Sequence, residues 1–191
     1  MPVAYLNQGF EWTQMSKANE AAALQRTEGE TKDRIPPVSD GNTMDFEIKK
    51  ANKNNLAGIL RLYSQMHNIE VPEISNDIKK VWKRILKYKD QHVIVGIKDG
   101  TVIATCVIII VPNLTHEQRP YALIENVVTD ENHRKKGFAS KILDYAKGIA
   151  VKENCYKIML LTSSKEDSVL RFYEKAGYNR NDKTAFIQWL K

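Results

Sequence analysis

From Met44 onwards, the spacing of apolar residues divides the chain into short helical and strand-like segments. In some stretches apolar side chains recur every three or four positions, which is typical of a helix packed on a core. These predicted helices are residues 54–67, 75–88, 137–153 and 167–176. Other stretches alternate between apolar and polar positions or are continuously apolar, which indicates strands. These predicted strands are residues 46–48, 92–98, 101–111, 121–129, 156–162 and 185–190.

The order of these segments, β-α-α-β-β-β-α-β-α-β, predicts the fold class. Asp99-Gly100 joins two of the strands, and this dipeptide favours a tight hairpin. The β-α-β crossover that follows brings a later strand into the sheet in parallel. We therefore expect an α/β protein, in the α+β sense of a mixed and mostly antiparallel sheet, with helices on both faces. Ser75 is expected to cap the second helix, and Trp82 and Trp189 occupy periodic positions expected in the core.

Residues 1–43 do not follow this pattern. Their apolar positions keep no sustained period, and residues 29–40 are polar and charged around Ile35-Pro36-Pro37. One interpretation is a flexible tail or leader ahead of a domain that spans residues 44–191. The other interpretation is a docking arm. Under the first interpretation, removing residues 1–43 should leave folding of the domain intact.

Charge and composition narrow the range of partners. The net charge is +6, and residues 1–43 contribute −2 of it, so the remaining domain carries +8. A basic domain suggests nucleic acid, a membrane surface or a phosphorylated ligand. No apolar run approaches the ~20 residues that a membrane-spanning helix needs. The first residues lack a secretory pattern, and two cysteines make no disulfide framework, so we expect a reducing cytoplasm.

The segment most informative about chemistry joins a strand, a basic loop and the start of a helix. Arg134, Lys135, Lys136 and Gly137 directly precede the predicted helix. A helix N-terminus presents unpaired N–H groups and the positive end of its dipole, which suit a phosphate. A glycine lets the backbone approach such a ligand closely. The alternative is a basic loop with a helix-capping glycine, but the order of the three elements favours a phosphate cradle.

Two motifs resemble one enzyme superfamily. Residues 134–139, Arg-Lys-Lys-Gly-Phe-Ala, match the pattern Q/R-x-x-G-x-G/A of the GNAT N-acetyltransferases. Residues 172–178, Phe-Tyr-Glu-Lys-Ala-Gly-Tyr, are similar to the ending FYEKxGF/Y of that superfamily. The similarity is close from Leu123 to Tyr178 and only topological before it. It implies the GNAT acyl-CoA N-acyltransferase fold and acetyl-CoA as cosubstrate.

The resemblance also implies roles for individual residues. The backbone of Val127, Val128 and Thr129 lies where the superfamily pairs with the pantetheine arm. Tyr173 is similar to the tyrosine that protonates or stabilises the departing thiolate. Many members have an asparagine seven residues before that tyrosine, and Glu166 stands there in this chain. The residues expected around the pyrophosphate are Arg134, Lys135, Lys136, Gly137, Phe138, Ala139 and Ser140.

Glu125 is the second candidate for catalysis. It interrupts an apolar strand, where a carboxylate costs burial free energy unless it has a task or a partner. Regular alternation would place Glu125, Val127 and Thr129 on one face of that strand. Residues 124–128, Ile-Glu-Asn-Val-Val, also resemble a strand of glucosamine-6-phosphate N-acetyltransferases, which have an acid near the acceptor at this position. A general base for an amine and a structural carboxylate both stay open.

These observations predict an acyltransferase that moves acetyl from acetyl-CoA directly to a primary amine in a ternary complex. The resemblance favours a small-molecule acceptor over a protein, and a catalytically silent acyl-CoA-binding module is the alternative. Nucleic acid is not favoured, because the chain lacks an aromatic and basic RNA-binding pattern and a recognition helix. No metal is expected, because the four histidines have no metal-ligand spacing. No membrane partner is expected, and a homodimer, common in similar proteins, stays open.

Overall fold

A computed structural model describes residues 46–190. The first strand, β1 (Phe46–Lys50), is followed by a short 3₁₀ turn and two helices. Every predicted helix is present, and the strands of the central hairpin have the predicted bounds or differ by one residue. The helices are α1 (Leu56–His67), α2 (Asn76–Lys87), α3 (Phe138–Lys152) and α4 (Asp167–Lys175). The remaining strands are β2 (Gln91–Lys98), β3 (Thr101–Val111), β4 (Tyr121–Thr129) and β5 (Ile158–Leu160).

The strands form one five-stranded mixed sheet in the order β1-β2-β3-β4-β5. The first four strands are antiparallel to their neighbours, and β5 pairs with β4 in parallel. Asp99 and Gly100 make the turn between β2 and β3 with φ values of +50° and +75°, as a two-residue hairpin turn requires. The parallel pairing of β5 follows from the crossover through α3. The predicted mixed, mostly antiparallel sheet is therefore confirmed.

Each face of the sheet has its own hydrophobic core. The core beneath α3 and α4 contains Ile142, Leu143 and Ala146 together with inward residues of the central strands. The core beneath α1 and α2 contains Ile59, Leu62 and Trp82. Helices thus cover both faces, as predicted, and Trp82 lies in the core. Ser75 caps α2, because its side chain accepts a hydrogen bond from the N–H of Ile78.

Two expectations at the C-terminal end are wrong. Residues 185–190 form no strand, and Trp189 is 87% exposed rather than buried. The segment has the composition of a strand, but a strand exists only when a neighbour accepts its backbone hydrogen bonds. No described strand lies beside it. The predicted strand 156–162 is also shorter in the structure, because β5 pairs with β4 over only three residues.

The predicted tail, residues 1–43, and therefore the predicted domain start at Met44 lie outside the described residues. Among the helices within residues 46–190, none is long and apolar enough to cross a membrane.

Two glycines in helices provide a test of the packing of α1 on the sheet. A Cβ on Gly58 would lie 2.8 Å from the Cβ of Val102, whereas a Cβ on Gly148 would meet nothing within 4 Å. Alanine favours a helix by about 1 kcal/mol over glycine, and overpacking costs roughly 1–3 kcal/mol. We expect Gly58→Ala to lower the free energy of unfolding and Gly148→Ala to raise it by about 0.5–1 kcal/mol. Urea denaturation measures both, and equal stabilisation by the two variants would contradict the described packing of α1.

Candidate functional site

The candidate site begins with an irregularity in β4. Glu125 pairs with Val107 and Val128 pairs with Thr105, so two residues of β4, Asn126 and Val127, lie opposite the single residue Cys106. Asn126 has a φ of +52°, in the left-handed region. Two residues opposite one define a β-bulge, which bends the strand and redirects its side chains.

The bulge overturns the expected placement of Glu125. Side chains directly opposite each other share a face of the sheet, and Val107 belongs to the core beneath α1 and α2. Glu125 therefore lies on that face. Val128 also belongs to that core, whereas Val127 packs against the other core. Glu125 and Val127 are thus on opposite faces, because the extra residue at the bulge reverses the alternation.

Beside the bulge, β4 loses its neighbour. The pairing with β5 ends at Ile124 and Leu160. Beyond this point, the backbone groups of residues 125–129 that point away from β3 have no partner strand within residues 46–190. The side-chain oxygen of Thr129 is also buried without a hydrogen-bond partner. This edge can therefore pair with an extended ligand, as the sequence predicts for Val127, Val128 and Thr129.

The N-terminus of α3 lies shortly after this edge. Gly137 is the N-cap residue with a φ of +79°, and it makes no side-chain cap. The N–H groups of Phe138, Ala139 and Ser140 precede the first intrahelical hydrogen bond, which Lys141 makes to Gly137. A Cβ on Gly137 would have open space around it, so the glycine serves the backbone conformation rather than a tight contact inside the protein. The arrangement fits an anion.

The basic residues before Gly137 are exposed around the same point. The Nε of Arg134 donates to the carbonyl of Thr129 over 3.3 Å, and the Nζ of Lys136 donates to the carbonyl of Asn132 over 2.9 Å. The first bond ties the loop to the end of β4, and the second lies within the loop. Lys135 has a φ of +60°, so the loop contains a second left-handed residue. The loop concentrates positive charge at a helix N-terminus.

A buried carboxylate that the sequence analysis did not single out anchors this loop. Asp130 is 4% exposed and pairs with the guanidinium of Arg61. It also accepts hydrogen bonds from Gln65 Nε2 at 3.2 Å and from the N–H of Asn132 at 3.1 Å, and it lies 2.9 Å from His133 Nδ1. Burial alone would raise the pKa of Asp130, but these hydrogen bonds hold it well below its usual range. The carboxylate is therefore ionised at neutral pH.

The partners of Asp130 connect the loop to the rest of the fold. Arg61 also donates to the carbonyl of Val102 on β3 over 2.8 Å. Gln65 accepts from the N–H of Glu131 over 3.3 Å. Since Arg61 and Gln65 lie on α1, one buried cluster fixes the loop against a helix and a strand. The only signal of Asp130 in the sequence is that an acidic residue stands at the end of an apolar strand.

Tyr173 lies on the other face of the sheet. It packs against the core beneath α3 and α4 and contacts the rings of Phe172 and Tyr178 at centroid distances of 5.0 and 6.1 Å. Burial, with a smaller contribution from Cys106, raises the pKa of Tyr173. The pKa of Tyr178 is raised to about 12, mainly by burial. Both hydroxyls are therefore protonated at neutral pH and can donate a hydrogen bond or a proton.

Tyr63 is a further residue of the site whose role the sequence did not reveal. Burial raises its pKa to about 12, and a side-chain hydrogen bond with Asn126 partly opposes that shift. Its hydroxyl therefore lies at the bulge, on the α1 side. In the sequence Tyr63 only continues the apolar period of the predicted helix 54–67, which gives no signal of a role at the site.

The structure thus brings together most of the predicted residues. Some of them, however, can offer a ligand only their backbone atoms. The side chains of Val128 and Phe138 lie in or against the cores, so these residues can contribute only backbone groups to a ligand. Glu125 lies on the α1 face of the sheet, and Tyr173 packs against the core of the opposite face. Glu166 is an exposed residue at the start of α4 and makes no side-chain cap there.

Cavities elsewhere do not coincide with this site. One of about 600 Å³ lies between the start of α1 and α2, beside Trp82, and none of the predicted site residues lines it. The candidate site is instead the unpaired edge of β4 together with the N-terminus of α3. Within residues 46–190, no group of three or more His, Cys, Asp or Glu side chains is placed to hold a metal ion.

Several solved structures are similar to this chain. A protein of Agrobacterium tumefaciens str. C58 assigned to the acetyltransferases is 35% identical, with a TM-score of 0.70 over 75% of this chain and 99% of that one. Glucosamine-6-phosphate N-acetyltransferase from Arabidopsis thaliana is 23% identical, with a TM-score of 0.67 over 77% and 99%. AAC(6')-Iy, solved with the bisubstrate analog CoA-S-monomethyl-acetylneamine, is 16% identical, with a TM-score of 0.63 over 77% and 99%. The last two show a shared fold.

A family model agrees with the site and the fold. The model described as the acetyltransferase (GNAT) family matches residues 56–178, which span α1, the bulge of β4, the basic loop and α4 up to Tyr178. The chain therefore belongs to the GNAT acetyltransferase family.

Proposed function

We propose that this protein transfers acetyl from acetyl-CoA to a primary amine of a small molecule, directly and in a ternary complex. The observation that carries the proposal is the unpaired edge of β4, which leads into the uncapped N-terminus of α3. An extended amide-containing arm suits the first feature, and a pyrophosphate suits the second. Acetyl-CoA combines both in one molecule and supplies the acetyl group as a thioester.

The basic loop contributes binding free energy and orientation. The N–H groups of Phe138, Ala139 and Ser140 point to the N-terminal side of α3, where a helix favours negative charge. Arg134, Lys135 and Lys136, all exposed, surround the same point. We assign the pyrophosphate to these groups and the pantetheine arm to the backbone of residues 127–129.

Glu125 is proposed as the general base. An alkyl ammonium has a pKa near ~10.4, so roughly one amine in a few thousand is neutral at pH 7. A carboxylate next to the acceptor takes up the proton directly or through water. Its half-buried position on the α1 face puts the acceptor beneath α1, near the Tyr63 hydroxyl. The acceptor and the basic loop then meet at the bulge.

Tyr173 is proposed as the acid for the leaving sulfur. Its raised pKa keeps the hydroxyl protonated, so a proton is available when the thiolate departs. It packs against the core on the face of the sheet opposite Glu125. Base and acid would therefore act on opposite sides of the reacting carbon.

The proposed class of acceptor rests on the names of two structural neighbours and on the open site. The Arabidopsis protein is named for glucosamine 6-phosphate, and AAC(6')-Iy was solved with a neamine derivative. Both names point to amino groups on sugars, and we propose this class for the acceptor.

The free thiols of Cys106, in the core, and Cys155 support the expected reducing cytoplasm.

The direct test is release of free thiol from acetyl-CoA in the presence of an amine panel. The panel contains amino sugars, aminoglycosides, polyamines and peptides. We expect amine-dependent release, fastest with the sugar amines. Saturable binding of acetyl-CoA without release across the whole panel would favour the silent acyl-CoA-binding module instead.

Removing the charge of Asp130 should weaken pyrophosphate binding selectively. Asp130→Asn leaves the half-buried guanidinium of Arg61 without its counter-charge, which costs about 1–3 kcal/mol, so the basic loop loses its fixed position. We expect KM for acetyl-CoA to rise about tenfold to a hundredfold. KM for S-acetylpantetheine, which lacks the pyrophosphate, should change by less than roughly threefold, which is within the context dependence of such contacts.

The matched control is Asp144→Asn, an exposed aspartate on α3. It should leave both KM values as in the wild type. An equal rise of KM for the two thioesters in Asp130→Asn, or no rise for either, would contradict the positioning role of Asp130.

The two catalytic assignments separate by their pH dependence. Glu125→Gln should lower the maximal rate by roughly 10²–10⁴ at neutral pH, and the defect should shrink as pH approaches the pKa of the amine, because more amine is already neutral. Tyr173→Phe should lower the rate without any such recovery. Rate–pH profiles decide this, with Glu131→Gln and Tyr145→Phe as controls. Full activity of Glu125→Gln at pH 7 would make Glu125 structural.

A further inference from the structure

The cavity between α2 and the start of α1 has the properties of a second binding site. Its volume of about 600 Å³ is in the range that is usual for small-molecule sites. Its apolar lining comes from both helices and from the loop before α2, and consists of Leu56, Ala57, Ile74, Trp82 and Leu86. Ile74 and Leu86 are large apolar residues that stay exposed, because nothing within residues 46–190 covers them. The cavity therefore offers a surface on which an apolar molecule can lie.

The charged side chains of the cavity are all basic. Among the described residues that line it there is no aspartate or glutamate, but there are four lysines, Lys53, Lys79, Lys83 and Lys87. Three of these follow one another at i, i+4 spacing on α2, which places like charges side by side and destabilises a helix. None of the four ammonium groups forms an ion pair or a hydrogen bond within residues 46–190. An anion bound among them would relieve this repulsion.

Trp82 adds a second, independent feature to the same cavity. Its side chain lines the cavity and is only 7% exposed, yet its indole N–H has no hydrogen-bond partner in the described part of the chain. The N–H of a buried tryptophan normally has a partner. The indole N–H and the lysine ammonium groups are all donors, and a carboxylate is an acceptor for every one of them. The unsatisfied donors thus call for the same kind of ligand as the unpaired charges do.

We propose that this cavity binds a small carboxylate that has an apolar body. The body packs between Leu56 and Trp82, and the carboxylate accepts hydrogen bonds from Lys79 and Lys83. The site is distinct from the acetyl-CoA site, because none of the residues assigned to the cosubstrate, the acceptor or catalysis lines it. The inference does not depend on acetyl transfer.

An NMR titration of the full chain observes the indole N–H of Trp82 directly, and the loss of its signal in Trp82→Phe assigns it. The probes are octanoate, naphthoate and the neutral amide of each. We expect the signal to move saturably with at least one carboxylate, and the tighter of the two identifies the body as alkyl or aromatic. Its amide should bind at least about tenfold more weakly, because it makes no charge-assisted hydrogen bonds. The signal of Trp189, which is 87% exposed, should stay in place.

Two matched charge reversals on α2 locate the carboxylate. The double variant Lys79→Glu, Lys83→Glu changes two lining residues and should raise the dissociation constant at least about tenfold. The control Lys80→Glu, Arg84→Glu changes two exposed residues with the same spacing on the same helix, neither of which lines the cavity. It should change the constant by less than about threefold, because salt screens such solvent-exposed charges.

Three results would overturn the proposal. One is a Trp82 signal that neither carboxylate moves. Another is equal affinity for a carboxylate and its amide, which would show that the lysines do not hold the charge. The third is equal weakening by the two double variants, which would show that the anion responds only to the overall charge of α2.

Discussion

The site depends on one constraint, which is that β4 and β5 share only three paired residues. Beyond Ile124 the sheet no longer satisfies the outward backbone groups of β4. At the same place the bulge at Asn126 adds a residue to β4. Together, these features convert the interior of a sheet into an edge that can take an extended ligand. A buried strand would otherwise have no unpaired backbone groups to offer.

The charges around this edge determine in which direction a ligand lies along it. The strand runs into a basic loop and the positive end of α3, so a ligand lying along β4 is ordered with its anionic end at the loop. The loop is exposed, but the buried carboxylate of Asp130 ties it to Arg61 and Gln65 of α1. The same helix α1 carries Tyr63 to the bulge. One helix thus contacts both ends of the proposed reaction path.

The sequence predicted what local periodicity and short motifs determine. The hairpin at Asp99-Gly100, the cap at Ser75 and the elements from β1 to α4 all follow from spacing and turn chemistry. The bulge was not predictable, because it depends on how β4 meets β3, and its neglect put Glu125 on the same face as Val127. Asp130 and Tyr63 were missed for a similar reason. Their partners are distant in the chain, and each looks ordinary in its own segment.

Residues 185–190 illustrate the limit of pattern analysis in another way. They have the composition of a strand, but the predicted strand is wrong, because no described strand pairs with them. Trp189 was expected in a core for the same reason. Periodicity describes which environment a segment suits, while only the tertiary or quaternary structure decides whether that environment exists.

We propose that acetyl-CoA lies along the unpaired edge of β4 with its pyrophosphate at the N-terminus of α3. Backbone amide NMR during titration with acetyl-CoA tests this residue by residue. We expect the largest shifts at residues 125–129 and 135–140. We expect little change around the cavity beside Trp82. Saturable shifts centred on that cavity, with residues 135–140 unmoved, would contradict it.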